Sequence, residues 1–174
     1  MALVFIPALA LAVYLLNGFP GMPSASFAER QQSGAQEDAL LATLRERLSL
    51  AVPTSPAAKE GWTLLGNAER SRGNLAEAAQ AYTNALRAGF DAELASQRAQ
   101  VLLEAGQVDA AVAWLAEALP QSPDHVGLRF LSGLAEAQAG RPDRARAAWT
   151  ALLAEAPEGA PWGVMVRRRM EALP

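Results

Sequence analysis

The sequence predicts an all-α fold: a helix–turn–helix solenoid of about three repeats, with flanking capping helices, after an N-terminal apolar segment. Three observations lead there. Apolar residues make up 51% of the 174 positions, enough to bury a core and too many for a disordered chain. Much of that share is alanine, which combines high helix propensity with a small side chain and so favours closely packed helices. Small and bulky residues also recur at intervals of 33 and 34 residues, the length of one helix pair.

The chain begins with an apolar run. Residues 1–16 (MALVFIPALALAVYLL) carry no charged side chain. At about 1.5 Å per residue they span roughly 24 Å, a little short of a ~30 Å hydrocarbon core. Residues 17–22 lengthen the uncharged stretch, although Gly18, Pro20, Gly21 and Pro23 end a regular helix soon after Leu16. Pro7 is tolerated inside a membrane, and Tyr14 and Phe19 fall where interfacial aromatics are expected.

Three readings compete for residues 1–22. Length and lack of charge favour a transmembrane anchor. A cleaved signal peptide is the second, with Ser24-Ala25-Ser26 as a small-residue cleavage pattern but no Lys or Arg before the apolar run. A buried soluble helix is the third, and it suits a run that is apolar on all sides poorly. With nothing basic before the segment, the positive-inside rule has little to act on. The short, uncharged start also points to missing upstream sequence. Residues 23–36 read as a polar linker.

Residues 37–52 carry Leu40, Leu41, Leu44, Leu48 and Ala51 three to four apart, the pattern of an amphipathic capping helix. Pro53-Thr54-Ser55-Pro56 breaks it. After the break the chain repeats itself. Gly73, Gly106 and Gly140 are 33 and 34 residues apart. The same offsets connect Ala78, Ala111 and Ala145; Tyr82, Leu115 and Trp149; Ala85, Ala118 and Leu152; and Gly66, Ala99 and Gly133. Pro123 and Pro157 close the second and third units, which places the units at about 58–90, 91–123 and 124–157. Small residues at the Gly66 and Ala78 positions let two helices approach, and the large residues of the Tyr82 series are expected to fill the space between neighbouring units. Glycine at the Gly73 series supplies a turn with positive φ. Pro161 starts a final capping helix over residues 161–173, with Trp162, Met165, Val166, Met170 and Leu173 on one stripe.

Trp62-Thr63-Leu64-Leu65-Gly66 supplies a W-x-x-L-G opening, while Ala95 and Arg129 stand at the Trp position of the later units. This opening and period are those of the tetratricopeptide repeat (TPR). Residues 58–157 are therefore expected to form a TPR domain.

Chemistry is hard to place on this frame. The chain has no cysteine, which excludes disulfides, thiolate catalysis and cysteine-ligated metals. Its only histidine, His125, lies beside Asp124 in a turn between units and reads as a solvated turn residue, with no second histidine to build a metal site. No cofactor is expected. Glu69, Glu77, Glu104 and Glu117 are scattered as on solvated helix faces rather than paired for acid–base work. A net charge of −3 gives no electrostatic reason to expect nucleic acid. Arg167-Arg168-Arg169 reads either as the polar face of the capping helix, favoured near a helix C-terminus by the dipole, or as a contact for an acidic partner or lipid headgroups. The chain is expected not to be an enzyme.

A binding surface remains. Residues one turn apart on the first helix of each unit are expected to line a concave groove. They are Thr63, Asn67 and Arg70 from the first unit, Ser96, Gln100 and Leu103 from the second, and Phe130, Leu134 and Gln138 from the third. The groove would grade from polar and basic to apolar, which suits an amphipathic helix. Leu103, Phe130 and Leu134 also fit a second role, packing against neighbouring helices.

Over its whole length the chain resembles the CcmI (CycH) family, the TPR subunit of bacterial cytochrome c maturation. The resemblance rests on AVYLLNGFPGMP at residues 12–23, LLATLRERL at 40–48 and GWTLLGNAERSRGNLAEAAQAYTNAL at 61–86. It ends in the W-x-x-L-L element from Trp149 to Leu153 and in APWGVMVRRRMEAL at 160–173. It implies a chaperone anchored in the bacterial inner membrane with its TPR domain in the periplasm. Such a chaperone binds the C-terminal helix of apocytochrome c and delivers it for haem ligation with CcmF and CcmH. Family members usually carry two membrane segments with a loop between them, and this chain starts at what resembles the second. The alternative is a TPR scaffold of another bacterial envelope assembly machine.

Overall fold

The computed structural model describes residues 27–174, and all regular structure among them is helical. The apolar segment expected over residues 1–22 lies outside the described residues. The described residues divide after Leu40, and residues 41–174 form one compact unit. The first helix among the described residues, α1, is Phe27–Leu50. Residues 27–36 are thus helical, where polarity had suggested a linker. The stretch FAERQQSGAQ is rich in Ala, Glu, Arg and Gln, all good helix formers, and Gly34 costs only about 1 kcal/mol against them. Leu40 is 69% exposed, because two adjacent helical residues cannot share one narrow face with Leu41 turned inward. Leu41, Leu44, Leu48 and Ala51 pack against the core of the first helix pair.

Three helix pairs follow: α2 (Pro56–Ser71) with α3 (Leu75–Leu86), α4 (Ala92–Glu104) with α5 (Val108–Ala118), and α6 (Val126–Gln138) with α7 (Pro142–Ala154). A short 3₁₀ turn, Leu119–Gln121, continues α5, and α8 (Pro161–Glu171) ends the array. Each helix packs on the next from α2 to α8, and α4 also packs on α6. First helices therefore lie beside one another in the second and third units, as a solenoid requires.

Each pair is closed by the same turn. Gly73, Gly106 and Gly140 hold φ of +80°, +70° and +73°. Their N–H groups donate to Arg70, Leu103 and Ala137, and the next residues, Asn74, Gln107 and Arg141, donate to Glu69, Leu102 and Glu136 at 2.9 Å. This double hydrogen bond is the Schellman motif, which satisfies carbonyls the helix end leaves over. In the first and third units a side chain reinforces it. Asn74 Nδ2 donates to Glu69 Oε2 at 2.8 Å, and Arg141 pairs with Glu136. Glu69 is not on a solvated face. It is 3% exposed and also accepts from Arg45 of α1 at 2.5 Å. Its burial is tolerable because both carboxylate oxygens are hydrogen-bonded.

The helix starts are capped locally. Ser55 accepts from the Ala58 N–H at 3.1 Å, with Pro56 in the first turn. Asp91 caps α4 by accepting from Leu94 at 3.0 Å, and His125 Nδ1 caps α6 by accepting from Leu128 at 3.2 Å.

Size complementarity fills each pair. A Cβ on Gly66 would lie 2.5 Å from Cε1 of Tyr82, and one on Gly133 would collide with the indole of Trp149. In the second unit Ala99 takes the glycine position and Leu115 the aromatic position, both buried in one cluster. The small residue is glycine only where the large one is aromatic. At the C-terminal end, Val166 of α8 is buried with Trp149, and Trp162, Met170 and Leu173 pack on that cluster. Met165, expected on the same stripe, is 46% exposed.

Candidate peptide-binding groove

The first helices position the expected groove residues unequally. Thr63 is half-buried, and its hydroxyl donates to the Lys59 carbonyl at 2.8 Å. Asn67 is exposed, and its Oδ1 accepts from the buried Tyr82 hydroxyl at 2.7 Å. Gln100 and Gln138 are exposed. Arg70 is not a free cation. Its Nη2 and Nε donate to the two Glu104 oxygens at 2.5 and 3.1 Å, a bidentate pair between the first and second units. That hydrogen bonding raises the Arg70 pKa above its ordinary value.

The remaining four residues belong to the packing. Ser96 is buried and donates to the Ala92 carbonyl at 3.0 Å. Leu103 is 7% exposed and sits in the cluster of the second unit. Phe130 and Leu134 pack against the clusters of both the second and the third units. The Phe130 ring stacks on Trp149 with centroids 5.9 Å apart, and the Phe130 carbonyl accepts from the Trp149 indole at 3.0 Å. Burying an aliphatic or aromatic side chain is worth about 1.5–3 kcal/mol, so these side chains turn into the junctions between helices. The expected gradient from basic to apolar does not form: Glu104 neutralises its basic end and packing absorbs its apolar end.

The groove has members that the repeat positions did not single out. Lys59, Glu60 and Leu64 join Thr63 and Asn67 around a concavity of about 470 Å³. Leu64 is 64% exposed, one residue from the buried Leu65. A leucine following Thr63 and preceding the inward leucine of W-x-x-L-G was the available signal. Lys59 donates to Asp91 Oδ2 of the next unit at 3.1 Å. The Leu94 backbone N–H, and after it Lys59, hold the Asp91 carboxyl below its usual range. The surface is therefore polar, closed by ion pairs, with one apolar point.

His125, read as a solvated turn residue, has structural partners. Besides capping α6, it lies 3.4 Å from Ser96 Oγ and 3.8 Å from Glu93 Oε2. Asp91 and His125 are 34 residues apart, as are Lys59 and Glu93, so the two junctions use the same positions with the carboxylate on opposite partners. That offset was the signal for it. Arg167, Arg168 and Arg169 are all exposed on α8. Among the described residues no group of three or more His, Asp or Glu side chains could hold a metal, and no helix is long and apolar enough to cross a membrane.

Comparison with known proteins agrees with this geometry. A tetratricopeptide-repeat family model matches residues 34–93 and 63–126, and a second matches 102–165. No match was found among curated proteins. Among solved structures, a tetratricopeptide repeat protein from Parabacteroides merdae is 23% identical, with a TM-score of 0.61 over 82% of this chain and 57% of that one. The Yersinia enterocolitica type III secretion translocator chaperone SycD is 17% identical, with a TM-score of 0.60 over 68% and 92%. The Arabidopsis OM64 TPR domain is 21% identical, with a TM-score of 0.56 over 65% and 93%. At these identities the likeness is one of fold. With three glycine-turned helix pairs in register and family models matching across them, the chain belongs to the tetratricopeptide-repeat family.

Proposed function

We propose that this chain is a protein-binding scaffold, without catalytic activity of its own, that holds a client segment along the face made by its first helices. The observation that carries the proposal is the concavity around Leu64, a solvent-facing leucine flanked by Thr63, Asn67 and Glu60. An exposed leucine set among hydrogen-bonding side chains suits an amphipathic segment, which can bury one apolar residue while its polar groups meet the rim.

The client we propose is apocytochrome c, held by its C-terminal helix and passed to CcmF and CcmH for haem ligation. Support comes from the resemblance to the CcmI family at residues 12–23, 61–86 and 160–173. In this reading residues 1–22 anchor the chain in the bacterial inner membrane and the repeats face the periplasm. A chain without cysteine would leave the client's haem-attachment thiols alone.

Titrating the full chain with a labelled peptide of a c-type cytochrome C-terminal helix tests the client. Saturable binding that unrelated amphipathic helices of equal length do not match supports it. Equal binding of all such helices removes the cytochrome reading and leaves a scaffold of another envelope machine. Absence of any binding removes both. A gene neighbourhood without haem-handling genes would also favour the other machine.

A further inference from the structure

A second site lies away from the first-helix face. Leu86, Arg87 and Phe90, from the end of α3 and the turn after it, meet Arg98 of α4 and Trp114 of α5 around a pocket of about 280 Å³. The Trp114 indole is pinned, because its Nε1–H donates to the Ala95 carbonyl at 3.0 Å. Above it the Arg98 guanidinium lies 4.1 Å from the ring centroid. A guanidinium over an aromatic face keeps its N–H groups available for hydrogen bonds in its own plane.

The Trp114 ring is the closest compensation the Arg98 charge has. Its Nε is buried with no hydrogen-bond partner, and no carboxylate among the described residues forms an ion pair with it. Glu117 is near enough to favour the charged form, yet burial dominates and lowers the Arg98 pKa. A half-buried guanidinium without a hydrogen-bond acceptor is costly in an isolated protein, whereas an incoming anion regains part of that cost on binding. Arg87 adds a second, exposed guanidinium at the rim. Leu86 and Phe90 supply an apolar wall, both packed on the core of the second unit.

We infer that this pocket binds a peptide carboxylate carried next to an apolar side chain. The carboxylate would lie against the Arg98 fork, with Arg87 beside it, and the apolar side chain against Leu86 and Phe90. A volume of about 280 Å³ matches roughly one residue and its carboxyl group. The carboxylate can be a chain terminus or an acidic side chain, which three probes separate.

The test is a titration of the ¹⁵N-labelled full chain, followed at the Trp114 Nε1–H and Arg98 Nε–H signals. The probes are acetyl-Gly-Ser-Leu, its C-terminal amide, and acetyl-Gly-Glu-Leu-amide. Saturable shifts with the first or the third, and none with the amide of the first, establish the site, and the responding probe identifies the source. Arg98→Gln should weaken that binding by about tenfold or more, since charge-assisted hydrogen bonds are lost. Arg98→Lys should fall between, keeping charge without the planar fork. If Arg98→Gln fails to fold by circular dichroism, Arg87→Gln must still weaken binding severalfold. Silence at both signals with every probe overturns the inference. So does equal response to the amide, or an unchanged affinity in a folded Arg98→Gln variant.

Discussion

The pairing of glycine with an aromatic residue in one unit, and of alanine with leucine in another, makes a quantitative prediction for Gly66→Ala. The added Cβ would lie 2.5 and 2.7 Å from ring carbons of Tyr82. That ring is fully buried and its hydroxyl is tied to Asn67, so it has no free direction to yield. Overpacking of this kind costs about 1–3 kcal/mol, and the rigid ring argues for the upper end. Replacing a helical glycine with alanine returns about 1 kcal/mol. The expected net loss is about 2 kcal/mol, or roughly 4–8 °C in Tm for a chain of this size. Tyr82→Leu alone should also destabilise, by about 2–3 kcal/mol, through the cavity it leaves. The double variant copies the Ala99 and Leu115 pair of the second unit. In it the alanine no longer meets a ring, so Gly66→Ala should become neutral or stabilising. The cycle, measured by urea denaturation, should give a favourable coupling of about 2 kcal/mol. Strict additivity would refute the packing argument, since it would mean the two positions do not sense each other's size.

Four further outcomes are expected. Gly140→Ala places a Cβ at φ +73° and should cost about 1–2 kcal/mol in thermal denaturation, although nothing crowds the site. Phe130→Ala should lower stability by about 2–3 kcal/mol, because the ring stacks on Trp149; loss of client binding without loss of stability would return Phe130 to the groove. Leu64→Glu should leave urea stability within about 0.5 kcal/mol of the parent and abolish peptide binding measured by anisotropy. Asp91 has a depressed carboxyl pKa when folded, so its contribution is present above about pH 4 and is lost as pH falls through the folded value. Asp91→Asn keeps a capping side chain but cannot titrate, so its stability should fall less than the parent's between about pH 5 and pH 2.

The helix pairs were legible because their determinants are local and periodic. Glycine at positive φ, small residues at contact points and bulky residues one unit apart each mark one place in a repeat. The start of α1 was less legible because polarity and helix propensity disagree over residues 27–36, and propensity prevailed. The groove was read only in part. Repeat arithmetic names the residues of a face, but not which of them a neighbouring unit covers. Leu103 and Ser96 stand at the positions of Arg70 and Thr63 in the preceding unit, yet they are buried while Arg70 and Thr63 stay accessible. Burial there depends on side-chain size and on partners 29 or more residues away, such as His125 beside Ser96.

Asp91 and His125 give the array a property that no single unit has. Each closes the start of a first helix and, with the same side chain, reaches the first helix of the unit before it. A helix start completed in this way is strongest only when its neighbour is already folded. In a one-dimensional description of unfolding, part of what would count as a unit's own stability becomes coupling between units. The second and third pairs should then open as larger cooperative blocks, and hydrogen exchange in the first turns of α4 and α6 should report on the unit before each of them rather than on the helix itself.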